Sequence, residues 1–182
     1  MKDAIGLVEF KSIARGIQAT DEMIKSANVE LVLSTPLCPG KYVSLICGDV
    51  GAVNTAVKVG GNLGGIFTID THVIPNVHKA VFPALTATTD VNKIVSLGIV
   101  ETISALTAVV IGDIAVKAAN VELLEIRIAR GLGGKGFVIL TGEISSVKSA
   151  IKTCLNKLKD TGEIVCTSVI ASPSRELVSK II

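Results

Sequence analysis

A chain of 182 residues that is 49% hydrophobic, 3% aromatic and free of tryptophan fills its interior with small aliphatic side chains, enough for two cores of about ninety residues or one fused core. The mean hydropathy of +0.62 is high, yet no apolar run approaches the roughly twenty residues a bilayer crossing needs, so the surplus apolar surface is expected to be buried between subunits and no membrane partner is expected. Eighteen basic against sixteen acidic residues, dispersed along the chain and without aromatic platforms, argue against nucleic-acid binding, and a Met1-Lys2-Asp3 start that does not read as an export signal leaves the four cysteines as thiols in a reducing cytoplasm.

In chain order, Ala4–Phe10 reads as a short apolar strand. Ser12–Ala27 follows with apolar residues at Ile13, Ile17, Met23, Ile24 and Ala27, close to one face of a helix. Asn28 ends that helix and the β-branched Val29–Ser34 forms a second strand. A loop leads into Tyr42–Cys47, a strand returning antiparallel. Asp49 caps a small-residue helix, Val50–Val59, that Gly60-Gly61 should stop. Ile66–Ile74 supplies the last strand of the unit. Asn76–Val95 is a connector, with Pro83 and Thr86–Thr89 its most linker-like part.

The order then repeats: strand Leu97–Thr102, helix Ser104–Ala119, strands Val121–Arg127 and Gly136–Thr141, helix Ile144–Lys159, strand Ile164–Ile170. The repetition is legible residue by residue. Gly6-Leu7-Val8-Glu9 returns as Gly98-Ile99-Val100-Glu101, and Lys25-Ser26-Ala27-Asn28-Val29 as Lys117-Ala118-Ala119-Asn120-Val121, both 92 residues on. Gly40-Lys41 returns as Gly134-Lys135, two residues later still. The chain is thus a tandem duplication with domains 1–90 and 91–182, of α+β class, each a β-α-β-β-α-β unit with an antiparallel sheet and helices packed on one face. The copies stop resembling each other in the loop that absorbs the slip: Ser34-Thr35-Pro36-Leu37-Cys38-Pro39-Gly40 against Arg127 to Gly134. A duplication that keeps its framework and changes one loop places its function in that loop.

Gly131-Leu132-Gly133-Gly134-Lys135-Gly136 spells G-x-G-x-x-G. A strand follows it, where a dinucleotide site needs a helix N-terminus, so it reads as a glycine-rich hairpin. Cys47, Cys154 and Cys166 fall on apolar strand or helix faces and read as small core residues. No C-x-x-C pair is present, so a self-contained zinc or iron–sulfur site within one chain is not expected. Cys38 differs. Pro36 and Pro39 bracket it in a stiff turn without regular pairing, which presents the thiol. In a closed ring with this loop at the axis, one cysteine per chain becomes three sulfurs in a trimer, and a metal or iron–sulfur centre would relieve their repulsion. His72 and His78 have no counterparts in the second copy and read as structural or exposed. Lys25 and Lys117, repeated at one framework position, are candidates for a repeated contact. No acid/base or nucleophilic constellation stands out, so no enzyme is expected.

Gly-Leu/Ile-Val-Glu, Lys-Ser/Ala-Ala-Asn-Val and Gly-Asp/Glu-Val/Ile, each present in both halves, resemble the bacterial microcompartment shell domain over nearly the whole chain. Two such domains in one chain resemble the tandem-domain shell proteins that form flat trimers imitating single-domain hexamers. Within that group Cys38-Pro39-Gly40-Lys41 resembles the central loop of the iron–sulfur-binding shell trimers of propanediol-utilisation compartments. The resemblance implies a ferredoxin-like-variant fold, a homotrimer in the microcompartment shell in the cytoplasm, and one 4Fe-4S cluster per trimer shared by Cys38 of three chains for electron transfer. It implies pore loops Pro36, Leu37, Pro39, Gly40 and Arg130, Gly131, Gly133, Gly134, and shell-edge contacts at Lys25 and Lys117. It further implies partnership with other shell proteins and encapsulated redox enzymes. The alternative reading is a small-molecule-binding regulator built of duplicated ferredoxin-like domains.

Overall fold

The computed structural model describes residues 3–90, 93–128 and 131–181. The first repeat runs β1 (Ala4–Phe10), α1 (Ile13–Ser26), β2 (Val29–Leu37), β3 (Lys41–Gly48), α2 (Val50–Gly64) and β4 (Thr68–Pro75). A short helix, α3 (Val81–Leu85), precedes the second repeat of β5 (Ser96–Thr102), α4 (Ala105–Ala118), β6 (Val121–Ile128), β7 (Gly136–Gly142), α5 (Ile144–Lys157) and β8 (Ile164–Ile170), and α6 (Arg175–Ile181) closes the chain. Each repeat folds into a four-stranded antiparallel sheet, in the orders β2-β3-β1-β4 and β6-β7-β5-β8. The described residues form two compact units, 3–77 with 131–134 and the remainder.

The duplication reaches the local chemistry. Ser12 and Ser104 each cap their helix, Ser12 Oγ accepting from Arg15 N and Ser104 Oγ from Leu106 N, which satisfies amides that have no partner within the helix. Both edge strands shift register at the same place, between Leu31 and Leu33 and between Leu123 and Glu125. Gly6 and Gly98 lie under the second helix of their own unit: a Cβ on Gly6 would stand 2.5 Å from Val57 Cγ2, and one on Gly98 2.7 Å from Val147 Cγ1. Sheet and helix therefore touch at a distance that only glycine permits.

Several sequence expectations are corrected. Gly60-Gly61 does not stop α2, which continues to Gly64 and ends at Gly65 with φ +53. Gly60 instead admits a neighbouring helix, since a Cβ there would be 2.4 Å from Met23 Sδ. The connector is not all linker: Val81–Leu85 is helical, and Pro83 is accommodated in its first turn because an amide there needs no helical partner. The terminal helix α6 went unread; its one sequence signal is Ser174, whose Oγ accepts from Leu177 N. Cys166 is not a core residue but exposed on β8, an edge strand. The apolar stripe of α1 also faces outward in part. Ile13, Ile17 and Ile24 are exposed, and the buried stripe is Gly16, Ala19, Thr20 and Met23.

Candidate functional site

β2 and β3 form a hairpin that pairs Pro36 with Tyr42 and Leu37 with Lys41, so only Cys38, Pro39 and Gly40 make the turn. Pro36 is thus inside a strand, not in an unpaired turn as its sequence context suggests. It is tolerated because β2 is an edge strand and needs no ladder donor there. Leu37 is buried and anchors the turn, while Pro36, Cys38, Pro39 and Gly40 are exposed. The Cys38–Pro39 peptide is cis, and Gly40 has φ +71, in the left-handed region that glycine enters without a Cβ clash. The thiol consequently stands at the tip of a hairpin.

The loop of the second repeat is built from glycine for the same reason, with φ +75 at Gly131, +62 at Gly133 and +90 at Gly134. Residues 131–134 belong to the first compact unit. A Cβ on Gly134 would lie 3.2 Å from the carbonyl oxygen of Cys38, so the two divergent loops lie together. Arg130 lies outside the described residues. Gly136–Gly142 after this loop is a strand, as expected for a hairpin rather than a dinucleotide turn.

Beneath the hairpin tip Lys41 Nζ donates to Glu9 Oε1 at 2.9 Å, and the Glu9 side chain is 1% exposed. The second repeat has the same pair, Lys135 Nζ to Glu101 Oε1 at 2.8 Å, but open to water. These residues were missed as a pair. Their signal was available, because both Gly-x-Val-Glu and Gly-Lys recur at matching positions.

Lys25 pairs with Asp21 one helical turn earlier, and Lys117 Nζ donates to Asp113 Oδ2 at 2.6 Å. The hydrogen bond to Asp21 raises the Lys25 ammonium above its ordinary pKa, with the charge of Asp21 adding to it. Asp113 also accepts from the backbone N–H of His78 at 2.8 Å. His72 Nε2 is 2.9 Å from Asp70 Oδ2 on β4, and His78 Nδ1 accepts from Ala80 N, so both imidazoles are held in local contacts. Cys47 and Cys154 are buried, and burial pushes the Cys154 thiol up to about 12.

Among the described residues, no three His, Cys, Asp or Glu side chains of one chain converge as metal ligands. Cys38 offers a single sulfur, which fits a ligand shared with other chains and not a self-contained centre. A surface hollow of about 570 Å³ beside α1 and α2 is lined by Gln18, Glu22, Val59, Asn62 and Leu63, without a buried polar group converging on it. No helix of the described residues is long and apolar enough to cross a membrane.

Fold and site together define a duplicated α+β framework whose first hairpin loop presents a thiol. The BMC domain model matches residues 4–77 and again 96–173, and the chain belongs to that family, the shell proteins of bacterial microcompartments. The microcompartment shell protein PduT of Citrobacter freundii is 41% identical over 177 residues, 97% of this chain and 96% of its own length. PduA of Citrobacter freundii, also a shell protein, is 38% identical over 102 residues, 54% of this chain but 97% of its own. A crystal structure of a microcompartment protein from Desulfitobacterium hafniense superposes with a TM-score of 0.92 at 45% identity, covering 97% of this chain and 98% of that one. The chain is therefore a structural component of a microcompartment shell, carrying the domain twice, and not an enzyme.

Proposed function

We propose that the chain forms a homotrimer whose six shell domains, 1–90 and 91–182 from each chain, make a pseudo-hexameric tile, and that Cys38 from three chains holds one 4Fe-4S cluster on the threefold axis. The observation that carries this reading is the exposed Cys38 thiol at the tip of the hairpin, in a loop where the repeats diverge. Three such sulfurs would ligate three irons of the cluster. When bound, the cluster supplies a one-electron carrier, suited to passing electrons between an encapsulated redox enzyme and the cytoplasm. Leu37 and Gly40 hold the hairpin tip in place, and Lys41, held by Glu9, keeps a cation at its base. The loop 130–134 would surround the same axis, so a cluster there would close the pore to metabolites. Lys25 and Lys117 would lie at tile edges against other shell proteins, in a compartment of the propanediol-utilisation type.

The test is anaerobic purification with iron counted per trimer, an absorption spectrum and low-temperature EPR. About four irons per trimer with an iron–sulfur signal are expected. Cys38→Ser should abolish iron and signal while leaving the trimer intact; a variant that kept its cluster would remove Cys38 as the ligand.

A further inference from the structure

The duplication extends past the sheets, and there the two halves are not equally satisfied. Gly6 faces Val73 across β1–β4 and Gly98 faces Val169 across β5–β8, so residues 73 and 169 correspond, 96 apart. The same spacing carries Val81 to Leu177 and His78 to Ser174. Helix α3 and helix α6 are thus counterparts, each following the last strand of its repeat.

Helix α3 has a seat. It packs against β6 and α4 with Val81 and Ala84 fully buried, and the backbone N–H of His78 donates to Asp113 Oδ1 at 2.8 Å. Helix α6 has no comparable seat among the described residues: none of it is buried, Leu177 is 40% exposed, and only Ile181, at its end, packs in part against the Leu97–Leu124–Ile139 cluster. The surface of the first repeat that corresponds to the α3 seat is open in the same way. Leu31 is 45% exposed where its counterpart Leu123 is 1%, and Ile17 is 53% exposed where Val109 is buried. Asp21, the counterpart of Asp113, has a side chain 58% exposed against 7%. Among the described residues, one chain therefore leaves Leu177 of the helix exposed and the matching seat without a helix. An apolar helix face and an apolar groove of that kind both lose by staying in water.

We infer that in the assembled protein α6 of one subunit occupies the α1–β2 face of the next, repeating between chains the contact that α3 makes with α4 and β6, with the Ser174 N–H donating to Asp21. The occupant is a second copy of this chain because, among the described residues, Leu177 of α6 and Ile17 and Leu31 of the matching face stay exposed, while both surfaces are copies of surfaces that fit each other. This rests on the trimer proposed above and specifies how it is strapped together. Each Asp21–Lys25 pair would then be fixed by a neighbour's backbone, as Asp113–Lys117 is fixed by His78.

The experiment places cysteines at both ends of that hydrogen bond, Asp21→Cys with Ser174→Cys, in a background of Cys38→Ser and Cys166→Ser. Oxidation should give covalent dimers and trimers on a non-reducing gel, and sedimentation reports the trimer before oxidation. A trimer that cross-links only within chains, or not at all, overturns the α6 seat and leaves the trimer standing. A monomer before oxidation overturns both. As an independent reading, Leu177→Asp should raise the concentration at which the trimer dissociates by about tenfold or more, the scale of exposing one leucine. Unchanged dissociation with a normal circular dichroism spectrum would overturn the seat as well.

Discussion

Glu9 and Glu101 occupy one framework position and make one ion pair each, yet their surroundings set different energies. Glu9 is 1% exposed, so removing its partner strands a buried carboxylate, whereas Glu101 keeps contact with water. Lys41→Ala should therefore cost about 3 kcal/mol of unfolding free energy, and Lys135→Ala less than about 1. Urea denaturation of both variants at neutral pH checks the ranking; equal costs would show that burial does not govern these pairs. The sequence displays all four residues, since they belong to the repeated motifs. It does not display which pair is buried, because burial is a property of what packs over β1 and not of the local string. Cys166 makes the same point in reverse. Its strand pattern resembles a core strand, but the position of β8 at a sheet edge leaves the thiol exposed.

At the scale of elements, the alternation of strands and helices was readable from hydrophobic period and turn residues, and duplication doubled every signal. Errors gathered where glycine or proline serves packing or sits where an amide is dispensable. Gly60 admits Met23, Pro36 sits on an edge and Pro83 in a first turn, and local chemistry alone reads all three as breaks. One helix–strand contact differs between the copies in a compensated way. Gly16 of α1 lies against the Tyr42 ring, where a Cβ would come within 2.7 Å of Cδ1. The corresponding pair is Ala108 of α4 against Gly136 of β7, where a Cβ on Gly136 would come within 2.7 Å of the Ala108 methyl. The small residue has moved from helix to strand. Gly16→Ala should thus destabilise by about 1–3 kcal/mol through overpacking. Adding Tyr42→Gly recreates the second copy's pair and should recover part of the clash, at the expense of the hydrogen bond between Ser34 Oγ and Tyr42 Oη. A double-mutant cycle in thermal denaturation measures that coupling; strict additivity would exclude direct contact as the cause.

For the whole molecule, class and duplication were legible because they recur over nearly 180 residues, and family membership follows from the same motifs. Assembly was legible only as surplus: a high mean hydropathy signals buried interfaces without saying where. Ile13, Ile17 and Ile24 of α1 and Leu177 of α6, all exposed, carry part of that surplus. The tiling proposed above brings in the two repeated lysines. Lys25 and Lys117 are each paired with an aspartate four residues earlier on the helix, and in the proposed tile they would meet a neighbouring tile. Lys25→Ala combined with Lys117→Ala should abolish extended sheets in electron micrographs while sedimentation still reports the trimer. Sheets that persist would remove these lysines from the edges.

The exchange of glycine between Gly16 and Gly136 bears on how the chain avoids misfolding. Two homologous halves on one polypeptide invite a helix of one to dock on the hairpin of the other during synthesis, a frequent failure of tandem repeats. Helix α4 on the first hairpin would press the Ala108 methyl into the Tyr42 ring, and α1 on the second would set Gly16 opposite Gly136 and leave a void. Each crossed pairing is penalised by the same substitution that makes the correct one fit, so a single displaced side chain lets each half reject the other's partner.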